Sequence, residues 1–152
     1  MRKNTIILAF SAIFITALVD GVCKYLALKT FANGPAQNTQ AAIAFVLHKN
    51  PGITFDIPIS IFILAPITAA IIFVLAKKAI ELRREQPLIA LAIVSVLIGA
   101  TDNLIDRIIN GFTTDYIMIF QTSIINLADV LILVGAMIIL VYYKNTPQKR
   151  PA

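Results

Sequence analysis

The stretch "TTDYIMIFQTSIINLADV", residues 113–130, places two aspartates, Asp115 and Asp129, in an otherwise oily part of the chain. On one straight helix, rising 1.5 Å per residue, they would lie about 21 Å apart and could not act together. The segment "IMIFQTS" offers another course, as a short connection that ends before a long apolar run begins at Ile124. A reversal there would carry Asp115 back over the first turns of that run, beside Asn126 and Asp129. Asn126 and Asp129 are three apart, so on a helix their side chains are neighbours. The fold therefore turns on a bend between Phe120 and Ile124.

The surrounding composition explains why carboxylates are conspicuous here. The chain has 152 residues, enough for a single domain spanning 1–152, with 59% hydrophobic and 14% charged residues. Its mean hydropathy is +0.85. That balance excludes an ordinary water-soluble globule and reads as an integral membrane protein, solvated outside by lipid. A net charge of +5 would suit a nucleic-acid binder, but no basic stripe or basic amphipathic helix accompanies it, and no nucleic-acid partner is expected. The single cysteine, Cys23, has no internal partner for a disulfide. "DGVC", residues 20–23, superficially looks like a lipidation site, but Asp20 and Val22 fit that pattern poorly. The basic start and apolar run of residues 1–20 resemble a signal peptide; without a small-residue cleavage site, they read as a retained first helix.

Four runs approach the roughly 20 apolar residues that cross a bilayer. They cover about 5–28, 57–76, 88–109 and 124–143. Nine of the thirteen Lys and Arg residues (2, 3, 77, 78, 83, 84, 144, 149 and 150) fall on one side of these spans. The positive-inside rule makes that side cytoplasmic, with both termini and a loop over 77–87. All six aspartates, Asp20, Asp56, Asp102, Asp106, Asp115 and Asp129, then lie on or near the outer side, while Glu81 and Glu85 lie inside. Topology does not require that sorting, since acidic residues contribute little to it. The predicted fold is an all-α integral membrane protein of four transmembrane helices. A small extracytoplasmic segment over 29–56 contains the turn-rich "NGPAQNTQ" and the alternating "AAIAFVLHKN", a short strand or an interfacial piece. Tyr25, Phe31, Phe45, Phe55, Phe112, Tyr116 and Phe120 gather on the same side, as interfacial aromatics would.

Ionised groups at membrane depth usually face protein or a wet cavity. Asp20 and Lys24 are four apart and fit a local salt bridge at a helix end. "GATDNLIDR", residues 99–107, aligns Asp102, Asn103, Asp106 and Arg107 along one helical stripe. Arg107 is suited to a two-pronged bond with a carboxylate. The alternative reading of that stripe is a network tying the third span to its neighbours. Asp115 and Asp129, if brought together, would share one proton, leaving one acid and one base to activate water against a peptide carbonyl. The alternative is that both are helix-end or capping residues. With His48 the only histidine, zinc and Cys–His chemistry lack ligands, and neither metal nor cofactor is expected.

The order of these motifs resembles the lipoprotein signal peptidase (signal peptidase II) family. "DGVCK" (20–24) is similar to its D-Q-x-[TS]-K, "NPGITF" (50–55) to N-x-G-x-x-F, and "GATDNLIDR" to G-x-x-x-N-x-x-D-R. "TTDYI" (113–117) is similar to V-V-D-F-I, and "INLADV" (125–130) to F-N-x-A-D-S. Gly21, Cys23, Pro51, Asp102 and Val130 depart from the pattern. The resemblance implies an aspartyl endopeptidase of the bacterial inner membrane that works on its outer face, without a cofactor. It would cut the signal peptide from diacylglyceryl-modified prolipoproteins before the lipidated cysteine. It implies Asp115 and Asp129 as catalytic, with Asp20, Lys24, Asn50, Gly52, Asn103, Asp106, Arg107 and Asn126 in support. Within that set, Asn50 and Arg107 would position substrate, and Asn103 and Asn126 would orient the pair. A monomer among membrane lipids is expected. The competing classes are a small transporter or proton relay using rim carboxylates, and a scaffold whose acids only stabilise packing. The acids avoid mid-span positions, and the spans lack matched broken halves, which disfavours transport.

Overall fold

Eight residues of the helix Pro87–Asn110 (α3) are buried: Ile89, Ala90, Ala92, Ile93, Ser95, Gly99, Asn103 and Asp106. They form a stripe that is apolar at its start and polar at its end, so one helix carries both the core and the floor of a polar site. The computed structural model describes residues 3–31, 41–53 and 57–145. Around α3 pack the helices Lys3–Thr30 (α1), Ile61–Leu82 (α2) and Leu127–Asn145 (α4). Ile89, Ile93 and Ala79 make the apolar core where α2 meets α3. Large side chains on the outer surfaces are bare, with Leu8 71% and Phe62 88% exposed. Apolar exposure of that kind suits hydrocarbon rather than water.

The α3–α4 contact is built on small residues. A Cβ added at Gly99 would collide with the Ala128 carbonyl oxygen and stand 2.9 Å from Ile132 Cγ1. One added at Gly135 would stand 2.5 Å from the Ala92 carbonyl oxygen and 2.7 Å from Val96 Cγ2. Backbones that approach this closely gain dispersion contact where lipid supplies no hydrophobic drive. Ser95 Oγ adds a 2.8 Å hydrogen bond to the Leu131 carbonyl.

At the other end of α3, Gly111 takes φ +80° and donates its N–H to the Arg107 carbonyl at 2.9 Å, a left-handed stop that glycine adopts without strain. The chain leaves as the strand Thr113–Ile119 (β4), reverses, and returns as Ser123–Ile125 (β5). Phe120 and Gln121 have φ values of 46° and 58°, and Thr122 N–H bonds the Ile119 carbonyl at 3.1 Å. Two successive left-handed residues match the twist of a hairpin. The bend required between Phe120 and Ile124 is thus present as this hairpin turn.

The strand Ile43–Asn50 (β1) completes an antiparallel sheet in the order β1-β4-β5. A second ribbon pairs Gly52–Ile53 (β2) with Ile57–Pro58 (β3). "AAIAFVLHKN" therefore resolves as a strand, pairing His48 with Asp115 and Asn50 with Thr113.

Several expectations are corrected. The protein is not all-α, because β4 and β5 occupy the stretch leading into the fourth helix. That helix begins at Leu127, since Ile124 and Ile125 belong to β5. Ile57 and Pro58 likewise belong to β3, and α2 starts at Ile61. Lys77, Lys78 and Glu81 lie on the last turns of α2, so the proposed loop over 77–87 is mostly helix. Tyr116 is not interfacial: it is 2% exposed, inside the protein. Among the described residues, three helices, α1, α2 and α3, are long and apolar enough to cross a membrane; the apolar part of α4, Leu127–Tyr142, is shorter. Asp56, Phe55 and all of "NGPAQNTQ" lie outside the described residues.

The helix contact makes a direct prediction. Gly99→Val lowers the thermal unfolding midpoint in detergent, by the equivalent of about 1–3 kcal/mol for overpacking. Gly21→Ala, at a helical position with nothing within 4 Å, holds or raises it.

Candidate active site

An α-helix begins with N–H groups that have no partner inside the helix. In α4 the first three are satisfied from two sources. Asp129 N–H bonds Asn126 Oδ1 at 2.8 Å, and Asn126 N–H returns to Asp129 Oδ2 at 3.3 Å. That is a reciprocal cap between the residue before the helix and its third residue. Leu127 and Ala128 N–H both reach Asp20 Oδ1 on α1, at 2.6 and 3.2 Å. Asp20 is fully buried and also accepts the Tyr116 hydroxyl at 2.8 Å.

Behind Asp20 stands Lys24, whose Nζ lies 2.8 Å from Asp20 Oδ2, 2.5 Å from Asp102 Oδ2 and 3.7 Å from Asp106 Oδ2. The pair read as a local salt bridge is therefore a junction of α1, α3 and the start of α4. Lys24 also donates to Asn103 Oδ1 at 3.0 Å, and Asn103 Nδ2 donates to Asp129 Oδ1 at 2.9 Å. A buried cation thereby fixes which way the Asn103 amide points. Asn126 Nδ2 bridges Asn103 Oδ1 at 3.2 Å and Asp115 Oδ1 at 2.7 Å.

Strand alternation sorts the residues of β4. Thr114 and Tyr116 point toward the helices: Thr114 N–H and Oγ1 bond Asp106 at 2.6 and 3.2 Å. Asp106 also accepts Asn110 Nδ2 at 2.6 Å, so it anchors the entry to β4. Thr113 and Asp115 point the other way, beside their cross-strand partners Asn50 and His48. These four, with Asn103, Arg107 and Asp129, line a cavity of about 680 Å³ reached by side chains of α2, α3 and α4. Asn50 Nδ2 donates to Asp115 Oδ2 at 3.2 Å, and Asn50 Oδ1 accepts Gly52 N–H at 3.0 Å. Arg107 donates to the Gly52 carbonyl at 2.9 Å and the Asn103 carbonyl at 3.4 Å, not to a carboxylate as its two-pronged geometry suggested.

All ten residues singled out from the sequence thus belong to one connected cluster. Asp115 and Asp129 face a common cavity, joined through Asn126 and Asn103. Burial raises the Asp115 carboxyl to about 6, with the charge of Asp129 adding to it; bonds from Asn50 and Asn126 and the nearby His48 act in the opposite direction. Burial and the Asp20 carboxylate push the Tyr116 phenol far above its usual range, leaving it a neutral donor. Two cavity residues, His48 and Thr113, escaped the sequence reading. Their signal is the two-residue spacing to Asn50 and Asp115, which becomes meaningful once the strand register is known.

Residues 12–144 match the family described as Signal peptidase (SPase) II. The chain is 31% identical over 148 residues to the lipoprotein signal peptidase of Bartonella bacilliformis, covering 93% of this chain and 90% of the relative. It is 33% identical over 127 residues to that of Brevibacillus brevis, covering 80% and 85%. A solved bacterial membrane enzyme structure superposes with a TM-score of 0.79 at 22% identity, over 99% of this chain and 95% of the other, and supports the fold.

The elevated Asp115 carboxyl has a measurable consequence. Its folded value of about 6 exceeds the ordinary 3.8, so between these values the folded protein keeps a proton that the unfolded chain releases. Stability from this group is present at low pH and is lost as pH rises through that window to above 6. In detergent, the unfolding midpoint of the parent protein should therefore fall relative to Asp115→Asn as pH rises from 4 to 7. A constant difference between the two would contradict the assignment.

Proposed function

The chain belongs to the signal peptidase II family and removes signal peptides from prolipoproteins, and we propose that Asp115 and Asp129 are the catalytic pair that does so. The observation that carries this reading is the shared amide of Asn126, which donates to Asp115 and caps against Asp129, the two aspartates that line one cavity. Two carboxyl groups so placed hold one proton between them. The ionised member takes a proton from water as the water oxygen bonds to the scissile carbonyl carbon. The protonated member donates to the developing oxyanion. Collapse of that intermediate breaks the C–N bond, and a proton returned through the pair leaves with the new amine, giving a free carboxyl group on the released signal peptide.

The rest of the cavity fits this role. Asn103 and Asn126 hold the carboxylates in register. Asn50, expected only as a substrate contact, also anchors Asp115. Arg107 presents positive charge to the cavity from α3 and serves to position the substrate backbone. The substrate is a diacylglyceryl-modified prolipoprotein, cut before its lipidated cysteine, and its signal helix enters sideways from the bilayer. In the proposed topology α4 is the fourth span of an inner-membrane protein. The ends carrying Lys3, Lys77, Lys78, Arg83, Arg84 and Lys144 face the cytoplasm, which leaves the aspartate cluster at the outer face. That depth suits a scissile bond at the outer end of a signal helix. The protein works as a monomer, since one chain supplies every group named.

Asp115→Asn and Asp129→Asn should each slow cleavage of a reconstituted diacylglyceryl prolipoprotein by about 10²–10⁴-fold, with protein levels unchanged. Normal cleavage by either variant would sink the paired mechanism.

A further inference from the structure

Thr113 is 2% exposed, yet its Oγ1 has no hydrogen-bond partner among the described residues. A buried hydroxyl without a partner loses its hydration with nothing in exchange, a penalty of order 1–3 kcal/mol that valine would avoid. Valine is also the residue of the family motif V-V-D-F-I at this place, and it suits a strand at least as well as threonine. The neighbouring threonine offers a contrast. Thr114 faces the helices, and its hydroxyl is used on Asp106.

The position of Thr113 points to where its hydroxyl is used. It shares the cavity face of β4 with Asp115, two residues on, and is the cross-strand partner of Asn50. Arg107 lines the same cavity, and its Nε–H is also buried without a partner among the described residues, although both Nη groups hold carbonyls. Two buried donors lining one cavity, beside the candidate pair, call for an acceptor oxygen that the described residues do not supply. Arg107 Nε–H can only donate, and the Thr113 hydroxyl can turn to donate as well. A carbonyl oxygen, with two lone pairs, fits both.

We propose that Thr113 contacts substrate, its hydroxyl donating together with Arg107 Nε–H to a carbonyl oxygen of the bound prolipoprotein. This deepens the peptidase reading and rests on it. Two parts of the substrate carry such oxygens, the peptide backbone near the scissile bond and the two esters of the lipid.

The test uses the full chain in detergent–lipid micelles and two synthetic lipobox peptides. One carries an S-diacylglyceryl cysteine and the other the dialkyl ether analogue, which lacks ester carbonyls. Thr113→Val should raise KM roughly tenfold, with kcat within about twofold, and Thr113→Ser should restore it by returning the hydroxyl. A rise with both peptides assigns the contact to the backbone, and a rise with the ester peptide alone assigns it to the lipid. Unchanged KM with both peptides, or a Thr113→Ser variant as impaired as Thr113→Val, overturns the proposal. Asp115→Asn, measured alongside, reports on the catalytic pair through kcat, so the two readings fail separately.

Discussion

The N-terminus of α4 lies at the end of an apolar bundle, where water cannot be relied on to satisfy its N–H groups. Asp20 supplies the missing acceptor from a different helix, and Asn126 supplies the other. A single cap is worth about 1 kcal/mol in an exposed helix, and more where the alternative is an unpaired group in low dielectric. Capping from α1 also has a geometric effect that a local cap lacks. It fixes the height of α4 against α1, and hence the position of Asp129 in its first turn. The arrangement requires a buried carboxylate, which in turn requires a cation, and Lys24 one turn further along α1 provides it.

Lys24 then links support to chemistry. Its ammonium holds the Asn103 carbonyl oxygen, which leaves the Asn103 amide nitrogen aimed at Asp129. Asn126 Nδ2 donates both to that same Asn103 oxygen and to Asp115, while its Oδ1 accepts the Asp129 N–H. Each amide presents its acceptor to a donor behind and its donor to a carboxylate in front. Flipping either one would set N–H against N–H on one side and oxygen against carboxylate on the other. The β4 strand adds the same division in space. Thr114 and Tyr116 hold the strand to α3 and α1, while Thr113 and Asp115 face the cavity. A strand achieves this separation within four residues because its side chains alternate, whereas a helix would spread the two groups around its circumference.

Helices α1, α2 and α3 were legible because runs of about 20 apolar residues have few other uses. Their ends were less so. Ile57, Ile124 and Ile125 are as apolar as any helix residue, and hydropathy alone cannot separate a buried strand from a helix end. Strand β4 gave no alternating signal because its first four residues, Thr113 to Tyr116, are all buried. Polar and aromatic side chains are buried there on both faces. The candidate site was legible as residue types in order, and the contacts were not. Lys24 meets Asn103 across 79 positions and Tyr116 meets Asp20 across 96, distances over which no periodicity carries information. The turn at Phe120 and Gln121 lacks glycine, so its left-handed backbone left no mark in composition.

Charge balance connects this architecture to its use. Asp20, Asp102, Asp106, Asp115 and Asp129 gather at one end of the bundle, against Lys24 and Arg107. Fully ionised, five carboxylates against two cations would leave an excess negative charge in a poorly hydrated space. Lys24 offsets the charge of the three acids nearest to it, and Asp106 is further stabilised by bonds from Thr114 and Asn110. Among the described residues, Asp115 takes its hydrogen bonds from amides and has no cation in bonding contact, and burial raises its carboxyl to about 6. Retaining a proton there relieves the charge excess. The same retained proton is what an acid–base pair needs before water can attack. A lysine or arginine placed against Asp115 would stabilise the fold at neutral pH and remove the acid. Both amides that neighbour Asp115 are themselves held, by Gly52 and Asn103, and so leave its carboxyl the proton that the proposed chemistry would use.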